Sequence, residues 1–240
     1  MAKSLGPDPA EQRGRFSEVA TLIVASVAGG ALAFGLAVAV LPTGQLPDDV
    51  TRLIWYAIRV IGVVAYLLLW LTTVAGLCMS GRVGGKWLPP AVLYPIHQLG
   101  DLALSLAALH AALLLGDHFA GFTPVSLVVP FLAAYRPLWT GLGILALYLS
   151  ALVYWSVELR PRIGYPAWHR IHYASFVAYL FAFAHGFAVG TDSDTLPLRV
   201  TFLLTGQVVV LLVAWRLLRA LSPGPVDPSR NAETSNRSNR

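Results

Sequence analysis

Charged residues are scarce in this sequence. Only 12% of the 240 residues are Asp, Glu, Lys or Arg, 56% are hydrophobic, and the mean hydropathy is +0.65. Soluble proteins carry about 25% charged residues, and a soluble fold this poor in charge could not cover its surface with polar groups. Inside lipid, helices satisfy their own backbone hydrogen bonds. We therefore predict an all-α, polytopic membrane protein whose main partner is the lipid bilayer.

Cysteine is nearly absent as well. Cys78 stands alone, which excludes an internal disulfide, a thiolate zinc site and a cysteine-ligated iron–sulfur cluster. A glycine-rich nucleotide-binding fingerprint is also missing, so we expect no flavin or NADPH site in this chain. The net charge of +5 is explained by basic residues gathered on one side of a membrane, and it does not indicate a nucleic-acid partner.

Six apolar stretches are long enough to cross a bilayer, which takes about 20 residues of helix. We expect a tail at residues 1–16, a six-helix domain at 17–220 and a disordered tail at 221–240. The first stretch is too long for a signal peptide and has no convincing cleavage site, so we expect it to be retained. The predicted spans run from about Val19 to Leu41, Leu53 to Met79, Val92 to Leu115, Leu138 to Val157, Trp168 to Val189 and Leu198 to Leu218.

Lys and Arg residues are concentrated in alternate loops. With the N-terminus inside, the inner segments hold thirteen of the 17 Lys and Arg residues and the outer loops hold only Arg52, Arg136 and Arg199. Inner loops of membrane proteins carry an excess of these residues. The pattern predicts a protein of the bacterial inner (plasma) membrane with both termini in the cytoplasm. The third and fifth spans then run in the same direction.

Four histidines fall inside these two parallel spans. His97 and His110 lie on the third span, and His172 and His185 lie on the fifth. Ionisable residues inside a membrane are costly and are functional candidates by default. Members of each pair are 13 residues apart, which corresponds to about 19.5 Å along a helix. His97 and His172 should therefore share an inner level, and His110 and His185 an outer level.

Two levels with two imidazoles each suit two bis-histidine haems stacked across the membrane, because imidazole is a common axial ligand of haem iron. A histidine can also serve as a hydrogen-bond partner between helices, but four in matched positions are harder to explain that way. Thirteen residues leave an azimuthal offset of about 140° on a regular helix. We therefore expect a tightened or kinked segment, which Pro95 or Gly100 could allow in the third span.

Several cationic side chains are candidates for contacts with the haem propionates, which need positive partners. Topology alone would explain each of these residues equally well. The candidates near the inner level are Arg82, Lys86, Arg162 and Arg170, and those near the outer level are Arg136 and Arg199. Away from the span ends, only Arg59 and Asp101 are charged. That scarcity argues against a proton pump or an ion-coupled transporter, which needs carboxylate relays.

Three segments carry a family resemblance. Tyr94–Gly100 (YPIHQLG), followed by His110, resembles the third helix of ferric reductase-like transmembrane domains. Trp168–Tyr173 (WHRIHY), followed by His185–Gly186, resembles their fifth helix, and Arg136–Gly143 is similar to the start of their fourth. The likeness covers roughly residues 53–215, and the histidine motifs are its specific part.

This resemblance implies b-type haem between the third and fifth helices and electron transfer across the membrane. The superfamily includes ferric reductases, NADPH oxidases and the haem membrane subunit of bacterial methionine sulfoxide reductase (MsrQ/YedZ). His110 makes the chain similar to the two-haem oxidases and reductases, whereas the overall size is closer to MsrQ.

The sequence leaves three functions open. The first is an oxidoreductase subunit with haem b, which passes electrons from quinol or a separate flavoreductase to an external acceptor. The second is an MsrQ-like subunit that supplies a periplasmic methionine sulfoxide reductase. The third is a haem-free transporter that uses the membrane histidines as transition-metal ligands.

Overall fold

The computed structural model describes residues 48–81, 83, 89–117, 121–190 and 192–221, together with Gly29. These residues form helices and no strand, as predicted. The elements are α1 (Asp48–Gly81), α2 (Pro90–His97), α3 (Gly100–Leu113), a 3₁₀ turn (Leu114–Gly116), α4 (Pro124–Val128), α5 (Pro137–Ile163), α6 (Tyr165–His172), α7 (Ala174–Val189) and α8 (Leu196–Leu221).

Five helical segments in the described ranges are long and apolar enough to cross a membrane. They are Asp49–Gly81, Val92–Gly116, Pro137–Ile163, Tyr165–Val189 and Leu196–Leu221. At most 33% of the most apolar window of any of these spans is buried inside the protein, so most of each surface requires an apolar solvent. The predicted first span, apart from Gly29, and the predicted tails, apart from Leu221, lie outside the described residues.

One predicted boundary was wrong. The fourth span is predicted to end at about Val157, but α5 continues through Pro161 to Ile163 and is capped by Gly164. Gly164 has a φ of 77°, a left-handed conformation that suits glycine and ends a helix. Pro166 then occupies the first turn of α6, where its missing N–H has no helical partner to lose.

The bundle is built around α1, which packs against α3, α7 and α8. A second close pair is formed by α5 and α7, whereas α3 and α5 make few contacts with each other. Tyr66 on α1, Tyr179 on α7 and Phe202 on α8 belong to the main buried cluster. The Tyr66 hydroxyl lies 2.6 Å from the Thr205 hydroxyl oxygen. These contacts fix α7 and α8 against the middle of α1.

Both histidine-bearing spans are interrupted directly after their first histidine. The third span breaks at Gln98 and Leu99, where Leu99 N–H donates to Ile96 O at 3.1 Å. The fifth breaks at Tyr173, whose N–H donates to Arg170 O at 3.3 Å. Such i→i+3 bonds overwind a helix locally. The break in the third span lies between Pro95 and Gly100. This is the segment in which the azimuthal offset between His97 and His110 led us to expect a tightened or kinked helix.

Arg59 joins α1 to the turn between α7 and α8. Its guanidinium donates to both carboxylate oxygens of Asp192, at 2.9 and 2.8 Å. Arg59 also lies over the Trp55 ring, 3.2 Å from the ring centroid. Pairing of this kind compensates the cost of a charge within a span.

The predicted topology has a direct test. An alkaline phosphatase fusion at Arg240 should be inactive and a fluorescent-protein fusion at the same site should be bright, because the C-terminus is expected in the cytoplasm. Fusions after Pro47, in the predicted outer loop, should behave in the opposite way. A phosphatase-active Arg240 fusion would reverse the inner and outer labels.

Candidate cofactor site: two histidine pairs

The four intramembrane histidines meet as two pairs. The ring centroids of His97 and His172, the first pair, lie 6.0 Å apart with an interplanar angle of 69°. The centroids of His110 and His185, the second pair, lie 6.3 Å apart at 82°. The sequence predicts this pairing, since the two spans run parallel with the same 13-residue spacing.

The spacing within each pair leaves room for one metal atom. Metal–imidazole nitrogen bonds are about 2.0–2.1 Å long, and a ring nitrogen lies about 1.1 Å from the ring centroid, given ring bonds of about 1.33 Å. Two imidazoles that bind one atom from opposite sides therefore have centroids about 6.3 Å apart. The observed 6.0 and 6.3 Å fit this geometry.

Backbone carbonyls orient three of the four rings. The Nδ1 atoms of His97, His110 and His185 lie 3.0, 2.9 and 3.0 Å from carbonyl oxygens. A neutral ring that donates Nδ1–H to a carbonyl keeps its lone pair on Nε2, and such an outer partner also raises the basicity of the ligand. The carbonyls belong to Thr72 (for His97), Ile58 (for His110) and Trp139 (for His185).

A glycine follows each of these carbonyls by four residues. A Cβ added at Gly143 would lie 2.5 Å from Nδ1 of His185, and one at Gly62 would lie 2.9 Å from Nδ1 of His110. At Gly76 the nearest His97 atom, Cε1, would be 3.3 Å away. A helical side chain covers the turn before its own Cα. A glycine four residues on therefore leaves the carbonyl open to a second donor.

His172 is held differently. Its Nδ1 is buried and has no hydrogen-bond partner in the described part of the chain. The ring stacks instead on Trp168, one turn earlier on α6, with centroids 5.2 Å apart and an interplanar angle of 28°. None of the described glycines places its Cβ position against this ring. The first pair is therefore oriented less tightly than the second.

One cavity of about 1110 Å³ connects the two pairs. All four histidines line it, together with Gly62, Gly76 and Gly143 and mainly apolar side chains. Sites for a single small molecule usually measure about 300–1,000 Å³, so this cavity is slightly larger than the upper end of that range. Among the described residues, no third His, Cys, Asp or Glu joins either pair to complete a ligand set for a bare metal ion.

The predicted propionate partners that the structure describes do not line this cavity. Arg162 and Arg170 are exposed and are not among the described residues that line it. Arg136 has a left-handed φ of 44° and donates to the backbone oxygen of Ala188 near the end of α7. It lines a separate cavity of about 450 Å³. Arg82 and Lys86 lie outside the described residues.

Two arginines that the sequence did not single out line the main cavity near the first pair. Arg160 lies over the Trp168 ring, 4.8 Å from the ring centroid. Arg216 donates to the Ser80 hydroxyl at 3.0 Å and to the Tyr173 hydroxyl at 3.4 Å. In the sequence nothing distinguishes them from Arg162 or Arg219. The rotation of each helix about its own axis decides which arginine faces the cavity.

The remaining two histidines are not part of either pair. His169 stacks on Tyr165, with ring centroids 5.5 Å apart, and reaches the edge of the cavity. His118 lies outside the described residues.

Comparison of the chain with protein-family models, curated proteins and solved structures found no match. The evidence for its function is therefore the geometry of the two pairs and the motifs that contain them.

Proposed function

We propose that this chain is a membrane electron-transfer subunit that holds two b-type haems, one at each histidine pair. The observation that carries the proposal is the spacing of the paired rings, 6.0 and 6.3 Å between centroids, which is the separation that one metal atom between two imidazoles requires. The resemblance of the histidine motifs to ferric reductase-like domains supports the same function.

The number of ligands favours haem over a bare metal ion. A zinc ion in a protein almost always takes four ligands, and a transporter site would need them from side chains. Each pair offers two imidazoles, and no third candidate ligand joins them in the described chain. Haem supplies the four in-plane nitrogen ligands itself and needs only axial ligands from the protein.

The residues of this chain would bind, orient and shield the cofactor. The four histidines would be the axial ligands, and the carbonyls of Ile58, Thr72 and Trp139 would fix three of them with Nε2 facing the iron. Arg160 and Arg216 are better placed than the arginines the sequence predicts to neutralise propionates at the first pair. The apolar cavity wall would exclude water.

Two levels would allow electrons to cross the bilayer in steps. When bound, each haem supplies a one-electron iron couple. The pairs are separated by 13 residues, or about 19.5 Å of helix, within a hydrocarbon core of about 30 Å. With the predicted topology, electrons enter at the first pair from quinol or a separate flavoreductase and leave from the second pair to an external acceptor.

Haem stoichiometry tests this proposal. The purified full-length protein should be red and should contain two haems b per chain, because there are two complete pairs. Pyridine haemochrome absorbance divided by the protein concentration from amino-acid analysis measures the ratio. A ratio near one would leave a single working pair, as in an MsrQ-like subunit, and a colourless protein that binds zinc or nickel would favour the transporter.

A further inference from the structure

Asp101 is a carboxylate within a span that the proposed haem ligation does not use. It lies in the first turn of α3, one turn after His97, and lines the main cavity. In the described part of the chain its side chain accepts no hydrogen bond and forms no ion pair. An ionisable side chain that lies within a span and has neither a hydrogen bond nor an ion pair is a functional candidate by default.

Four further polar side chains line the cavity together with Asp101. Tyr94 and Gln98 precede it by seven and three residues, which places all three on one side of the α2–α3 span. On α5, Ser150 and Tyr154 are four residues apart and line the same cavity as Asp101. We call these five residues the α3–α5 seam.

The seam is an opening in the bundle wall. Asp101 lies on α3 and Ser150 and Tyr154 lie on α5, and these two helices make few contacts with each other. Tyr94 is 57% exposed and Tyr154 is 38% exposed, yet both also line the cavity. The cavity therefore reaches the protein surface here, within the candidate span Val92–Gly116 that carries His97 of the first pair.

A ligand for this opening must be apolar enough to come from the bilayer and must present hydrogen-bond donors to a carboxylate. We propose that the α3–α5 seam binds a membrane quinol, whose hydroxyl group donates to Asp101 while its electrons enter the chain at the first pair. This inference rests on the proposed function, because it needs an electron acceptor at His97 and His172.

The redox step balances without a further reactant. Quinol loses two electrons and two protons and becomes quinone. The oxidant would be bound ferric haem at the two histidine pairs, which would take up one electron at each pair. The O–H bond facing Asp101 breaks and its proton goes to the Asp101 carboxylate, while the second hydroxyl proton leaves to water at the cavity mouth. Asp101 thus acts as a general base.

The test compares two reductants on the haem-loaded, full-length protein. Duroquinol requires a proton acceptor, whereas dithionite reduces the iron without one. In Asp101→Asn we expect wild-type haem content and wild-type reduction by dithionite, but reduction by duroquinol slowed at least roughly 100-fold, the lower range for loss of a general base. Asp101→Glu should recover most of the rate. Glu158→Gln, the same change at an exposed carboxylate one turn beyond Tyr154 on α5, should match wild type.

Several results would overturn the inference. One is reduction of Asp101→Asn by duroquinol at the wild-type rate, and another is an equal slowing with dithionite or a loss of haem, which would assign Asp101 to the structure around His97. If Asp101→Asn does not fold, the variants Tyr154→Phe and Gln98→Leu test the site instead. An unchanged apparent KM for duroquinol in both variants would show that the seam does not bind quinol. If the purified wild-type protein contained no haem, dithionite would produce no haem spectrum even without quinol. That result would refute the proposed function itself.

Discussion

His97→Ala and His172→Ala are expected to lose the same low-spin haem signal, and His110→Ala and His185→Ala are expected to lose the other. The reason is the pairing in space, with ring centroids 6.0 and 6.3 Å apart, because each iron needs both imidazoles of its pair to remain six-coordinate. The loss of haem affinity at the affected pair should exceed the roughly 10–100-fold that removal of an outer partner of a metal ligand costs.

Double variants separate the pairs further. His97→Ala with His172→Ala should be little worse than either single change, because residues that act as a unit are not additive. His97→Ala with His185→Ala should lose both low-spin signals. Absorption and electron paramagnetic resonance spectra of the oxidised protein measure these outcomes. Matching spectra for His97→Ala and His185→Ala would contradict the parallel arrangement of the two spans.

Alanine in place of the glycines under the histidine rings should damage haem binding in a graded order. Gly143→Ala should be the most harmful, since its Cβ would lie 2.5 Å from Nδ1 of His185, followed by Gly62→Ala at 2.9 Å from His110. Both changes push the ring off its carbonyl partner. Overpacking of this kind costs about 1–3 kcal/mol, which corresponds to roughly 5- to 150-fold in affinity for the haem at the second pair.

Two further glycines provide the controls for this series. Gly76→Ala should have a small effect confined to the first pair, because its Cβ would be 3.3 Å from His97. Gly100→Ala should cost less than Gly143→Ala, since the nearest protein atom to its Cβ would be Thr72 Cγ2 at 3.9 Å and no histidine ring would be displaced. Haem retention during gel filtration, with spectra to assign the lost signal, gives the order. Equal losses at Gly143 and Gly100 would show that the close contacts do not matter.

The sequence alone determined that lipid surrounds the helices and at which two heights along the bundle the histidines lie. A 12% share of charged residues leaves no soluble alternative, and helical spans follow from the need to satisfy backbone hydrogen bonds inside lipid. The shared 13-residue spacing, on spans separated by one other span, places His97 level with His172 and His110 level with His185. These conclusions depend only on length, composition and helical rise, which are local properties of the chain.

Only the tertiary structure decided how the histidines are held. The Nδ1 partners are backbone carbonyls of Ile58, Thr72 and Trp139. Every residue has a backbone carbonyl, so the residue type does not reveal which one accepts the hydrogen bond. A glycine four residues later is a weak signal, because the span interiors hold other glycines that contact no histidine, such as Gly206.

The choice among the arginines was likewise tertiary. Arg160 and Arg162 are two residues apart, so their side chains leave the helix on different sides, and only Arg160 lines the cavity. Arg136, which the sequence predicts at the outer level, caps α7 at Ala188 O. Which cation faces the cavity depends on helix rotation, and rotation is set by packing between helices distant in the sequence.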